Sequence, residues 1–132
     1  MATILETRDY LIEHLYNNWT DTEVAWPNKT YNPSSDTAFI KPFFAGGNSK
    51  DLEIGINGAD QNSFTFFIDI FVPLNTGNRQ GLIYAENLRN LFLNFDKKDI
   101  NLTAPTITEL GENSGFYQIR FSTYIILIYY PD

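Results

Sequence analysis

The stretch FTFFIDIFVP (64–73) restricts the fold more than any other part of the chain. It alternates as a β-strand does. Phe64, Phe66, Ile68, Ile70 and Val72 share one face, and Thr65, Phe67, Asp69 and Phe71 share the other. Pro73 ends it, because proline cannot donate to a ladder. The first face supplies core. The second carries two phenylalanine rings beside a carboxylate and needs a cover of its own, since burying each ring is worth about 1.5–3 kcal/mol.

The rest of the chain can be arranged around this strand. The stretch 116–130 alternates over a longer run, with Tyr117, Ile119, Phe121, Thr123, Ile125, Leu127 and Tyr129 on one side. Helical spacing marks 3–19, with Ile4, Arg8, Leu11 and Leu15 on one side and Leu5, Ile12, Tyr16 and Trp19 beside them. A second helix is expected at about 79–94, striped by Leu82, Ala85, Leu88, Phe92 and Phe95. Short strands are expected at 23–26, 36–45, 51–57, 100–105 and 106–110, with turns at GGNSK (46–50), GADQNS (58–63) and GENSG (111–115). Pro42 should place 36–45 at an edge or a bulge. The order is helix, four strands, helix, two or three strands. No linker divides 1–132, so we expect one α+β domain: a mostly antiparallel or mixed sheet with two helices packed on one face.

Composition narrows the function. With 43% apolar and 19% charged residues, 132 residues suffice for a globular core. There is no cysteine, which rules out disulfides and thiolate metal sites and fits a reducing compartment. The start, Met1-Ala2-Thr3, lacks the basic and apolar regions of a signal peptide. The longest apolar run, YIILIYY (124–130), is too short to span a bilayer, so no membrane partner is expected. Net charge is −7 and the nine basic residues are scattered. Stable nucleic-acid binding needs clustered cations; an acidic wall lets DNA pass without holding it.

No catalytic constellation emerges. His14 is the single histidine, too little for a triad or a zinc site, and is read as structural. Asp69 among aromatics could have a raised pKa, but its strand parity suggests a solvent or interface-rim carboxylate. NTGNRQG (75–81) precedes a helix yet lacks a phosphate-binding glycine pattern, and NGAD (57–60) lacks a calcium-ligand ladder. Neither an enzyme nor a cofactor is expected.

Several segments do match a pattern. VAWPNKTYNP (24–33) follows the first helix. IDIFVPLNTGNRQGLIYAENLRNLF (68–92) joins a strand ending in proline, a glycine-containing loop and an Ala/Leu helix. GFYQIRFSTYIILIYY (115–130) opens the long final strand. In this order the chain resembles the tail terminator (tail completion) proteins of tailed bacteriophages, of the lambda minor tail protein U type. The resemblance implies a small α/β virion protein of the tail and neck, made in the host cytoplasm. It also implies a ring, commonly hexameric, that caps the tail tube protein and docks to head-completion or neck proteins. Alternatives are another neck or head-completion protein, or a small-ligand-binding α+β domain of the cystatin or steroid-isomerase shape.

Two groups of residues follow from these readings. Trp26 and Tyr31, held by Pro27 and Pro33, are expected to anchor a rigid crossing loop, to a neighbour or to the chain itself. Phe67, Asp69 and Phe71 are the candidate partner interface, with Asp69 pairing a neighbour's cation or sitting at the wet rim.

Overall fold

The computed structural model describes residues 3–51, 60–95 and 100–129. Helix α1 (Ile4–Asn18) begins at Thr3, whose Oγ1 accepts the Glu6 amide at 3.1 Å and so satisfies one orphan donor of the first turn. Strand β1 (Glu23–Val24) is a two-residue piece. Strands β2 (Phe39–Asp51) and β3 (Asp60–Pro73) pair antiparallel, helix α2 (Arg79–Leu93) follows, and β4 (Asn101–Leu102), β5 (Thr106–Asn113) and β6 (Phe116–Tyr129) complete a six-stranded sheet. Its order is β1-β2-β3-β6-β4, with β5 also on β6; β1–β2 is the parallel pair and the rest are antiparallel.

Both helices contribute to one core on one face of the sheet. Leu11 and Leu15 of α1 and Ala85, Leu88 and Phe92 of α2 meet Ile40, Phe66, Ile68, Ile70, Ile119, Phe121 and Ile125. The alternation expected for 64–73 and 116–130 therefore points the expected way. Thr123, a polar residue on this face, is satisfied by donating to the Thr103 carbonyl at 2.8 Å. Gly81 lets α2 approach the sheet. A Cβ there would lie 2.5 Å from Ile119 Cδ1.

Turn positions differ from expectation. GGNSK (46–50) is not a turn: β2 runs through it to Asp51, and a register shift between Ala45 and Asn48 marks a bulge. Gly46, at φ 77°, supplies a backbone conformation that other residues avoid. GADQNS (58–63) is likewise not a turn in its second half, because β3 starts at Asp60. The expected strand 51–57 lies outside the described residues except for Asp51. GENSG (111–115) turns only at Ser114-Gly115, and both have positive φ. Pro42 sits where expected: β1 covers only Phe39 and Ile40, so β2 has an open edge at Pro42 among the described residues.

Candidate partner interface

The other face of the sheet is built by the odd positions of β2 and β3 and the even positions of β6. Cross-strand register aligns Phe39, Phe71 and Gln118 in one row, Lys41, Asp69 and Arg120 in the next, and Phe43, Phe67 and Ser122 in a third. No helix lies over these rows among the described residues.

Asp69 is the centre of this face, and its environment differs from the solvent or rim position expected. It is buried at 4% exposure. The cause is a cross-strand partner 51 residues away. Arg120 Nε donates to Oδ1 at 2.8 Å and Arg120 Nη2 to Oδ2 at 3.0 Å, a two-pronged contact. Gln118 Nε2 adds a third donor at 2.8 Å, and Asn113 Nδ2 holds Gln118 Oε1 at 2.9 Å. A buried carboxylate is tolerated when its lone pairs are met in this way. The hydrogen bond to Asp69 also raises the Arg120 pKa, so the guanidinium stays charged. Its carbon lies 4.9 Å from the Phe67 ring centroid and 5.6 Å from that of Phe43, and those two rings stack at 5.0 Å. The cation that Asp69 was expected to find on a neighbour is thus present in its own chain.

Phe71 and Phe67 have different surroundings. Phe71 stacks on Phe39 at 4.7 Å, and Phe116 meets Phe39 edge-on at 5.2 Å. This second cluster is completed by Ala25 and Tyr31. Phe67 is half-buried, with Phe43 stacked on it and the Arg120 guanidinium over its ring.

The passage 25–33 wraps the end of the sheet from one face to the other. Trp26 packs against the helix-side core with its ring 6.0 Å from Tyr16, while Tyr31 lies on the opposite face, 4.9 Å from Phe39. Pro27 and Asn28 make the bend between them. Lys29 N–H reaches the Trp26 carbonyl at 3.3 Å, and Asn28 has φ 55°, as a turn with proline second and asparagine third requires. Tyr31 donates to Glu23 Oε2 at 3.0 Å. Burial, reinforced by that carboxylate, pushes its phenol up to about 12. Pro33 lines a hollow of about 480 Å³ shared with Tyr31, Phe39, Lys41 and Phe71.

Sites tested for chemistry hold structural contacts. The His14 ring nitrogen Nε2 lies 2.8 Å from the Leu91 carbonyl, one of the oxygens that the end of α2 leaves free, and the ring meets Phe92 and Phe95 edge-on. Before α2, Asn78 and the Tyr117 hydroxyl both donate to Glu109 Oε1 at 2.8 Å, which lowers the Glu109 pKa. A carboxylate of the chain itself therefore faces this helix start, where an anion is favoured. Among the described residues no group of three acidic or histidine side chains could hold a metal, and no helix is long and apolar enough to cross a membrane.

A family model described as phage tail terminator protein matches residues 6–120. The chain belongs to that family. The match spans α1 through the first part of β6, including the wrapping passage and Asp69–Arg120. Tail terminators are structural virion proteins, so this is a tail-completion component of a bacteriophage and belongs to a family without enzymatic function. Among curated proteins none matches significantly. One solved chain is similar at TM-score 0.59 and 17% identity, covering 95% of this chain and 98% of its own. That likeness concerns the fold alone.

Sequence reasoning missed Arg120, Gln118 and Phe43. The available signal was parity: Arg120 occupies the outward set of its strand, as Asp69 does of its own, and each lies near the middle of an aromatic stretch.

Proposed function

We propose that the protein assembles into a ring of six copies, as the resemblance implies, which caps the finished tail tube and joins it to the head-completion proteins. The ring holds no nucleic acid stably and leaves a path for DNA. The protein is made in the host cytoplasm and ends in the virion neck. The observation that supports this reading is the sheet face over which no helix lies among the described residues, where the half-buried Phe43–Phe67 pair stands beside a charged Arg120. Rings enclosing a paired arginine make a compact contact of the kind that dominates interfaces.

Within that surface Phe67 is the proposed contact. Asp69 acts through Arg120, and Phe71 flanks the patch while serving its own cluster. The test compares two variants. Phe67→Ser should keep most of the thermal stability and lose tail capping, whereas Phe71→Ser should lower the melting temperature first. Imaging of wild-type tails should find a closed ring at the head-proximal end. A single copy or an open filament there would overturn the ring.

A further inference from the structure

We infer that Asn113 and Gln118 are positioning residues that make Asp69 choose Arg120 over Lys41, and so hold the guanidinium on the Phe43–Phe67 pair. Their part in tail capping rests on the ring reading; their hold on Arg120 does not.

Asp69 stands between two cations. Cross-strand register puts Lys41 of β2 on one side of it and Arg120 of β6 on the other. Both carry one positive charge, so charge alone does not choose between them. Geometry on the β6 side does. Gln118 lies two residues from Arg120 on the same face of β6 and gives its Nε2–H to Asp69 Oδ2 at 2.8 Å. Together with the fork of Arg120 it meets the carboxylate from that side with three donors.

Gln118 is itself aimed. A carboxylate only accepts, so Gln118 turns its NH2 toward Asp69, which leaves Oε1 facing away. Its cross-strand neighbour on β5 is Gly111, which offers no side chain. Asn113 fills the place: Nδ2 donates to Gln118 Oε1 at 2.9 Å, and the Ser114 hydroxyl donates to Asn113 Oδ1 at 3.1 Å. Every donor in the series Ser114, Asn113, Gln118 therefore points toward Asp69. Such a series has two discrete states, because an amide that turns over exchanges its donor for an acceptor. Turned over, Gln118 would set an oxygen against Asp69 Oδ2 and favour the move of the carboxylate to Lys41. The series begins in the hollow beside Tyr31, whose wall includes Asn113 and Ser114, and ends at the rings of Phe67 and Phe43. Asn113 is exposed and bonds to neither Asp69 nor Arg120, so any effect it has on Arg120 passes through Gln118.

The readout is solvent exchange of the Arg120 Nε–H, followed by NMR in the isolated chain, with melting temperature to check that each variant folds. Gln118→Leu withdraws the third donor and should speed exchange by about tenfold. Asn113→Ala should speed it by about threefold. Asn113→Asp keeps the shape but replaces the donor by an acceptor. It should turn Gln118 over and match Gln118→Leu, although its added negative charge would by itself hold Arg120 more tightly. Glu112→Ala, beside Asn113 on the other face of β5, should leave exchange unchanged. Adding Lys41→Met removes the alternative partner and should cancel most of the Asn113→Asp effect. Exchange unmoved by Asn113→Asp, or moved equally by Glu112→Ala, overturns the inference even where rings form. If Asn113→Asp loosens Arg120 and the variant still caps tails as wild type does, the positioning stands and the proposed contact at Arg120 fails.

Discussion

The two faces of the sheet are made from the same three long strands, yet they are built by different means. On the helix side Phe66, Ile68, Ile70, Ile119 and Phe121 are fully buried and apolar. On the other side Phe43, Phe67 and Phe71 are half-buried, and the centre is an ion pair held by Gln118. Apolar packing gives stability without direction. A two-pronged arginine–carboxylate contact adds little net stability but fixes which residues face each other. The helix face thus holds the fold by apolar packing, and the other face fixes its geometry by a directed contact.

The largest effect should separate the faces at adjacent positions. Phe66→Ala removes a fully buried ring that touches Phe44 and Phe92, and should cost about 3–5 kcal/mol in denaturant unfolding. Phe67→Ala loses a half-exposed stack and should cost about 1 kcal/mol. Equal losses would dissolve the distinction. Next in size is Asp69→Ala, which strips Arg120 and Gln118 of their acceptor. Arg120 has 35% side-chain exposure and can turn to water, so the loss should be about 2 kcal/mol, below that of a fully enclosed pair. In the wild type the denaturation midpoint should fall only slightly in high salt, because the carboxylate of the pair is buried.

A smaller effect sharpens the comparison from the helix side. His14→Ala removes one bond to the Leu91 carbonyl and two ring contacts, and should lower stability by about 1 kcal/mol without harming tail completion in complementation. The smallest effect is visible only in alkali. Tyr31 keeps its phenol proton to about 12 in the fold, against 10.0 for a free tyrosine. The folded state binds this proton more tightly, so its contribution is complete below pH 10.0 and is lost as pH rises toward about 12. Ultraviolet titration should show a late tyrosinate that Tyr31→Phe deletes. A wild-type profile unchanged by that substitution would mean the bare-face cluster is open to water.

Local signals made much of this legible. Both helices could be read from their spacing, because a stripe needs only neighbours three and four residues on. The long strands 64–73 and 116–130 could be read from parity. What depended on register could not. Asp69 looked like a rim carboxylate because its partner stands 51 residues away, and alternation fixes a face but not a neighbour. GGNSK looked like a turn because two glycines and polar residues suit turns and bulges equally. Leu5 and Tyr16 were part of a broad apolar face, and such a face gives no sign of where its covering layer stops.

The pairing of β3 with β6 also sets an order of events during synthesis. β3 is the centre of the sheet, but its partner on one side, β6, is made after every other described strand of the sheet. Until then β1, β2 and α1 can gather on one flank of β3, while its other edge presents free amides beside exposed rings. Such an edge is a template for pairing with other nascent chains. At about 5–20 residues per second, that interval lasts seconds. Chains truncated before Phe116 should therefore aggregate, and the yield of soluble protein should depend on how quickly β6 is delivered.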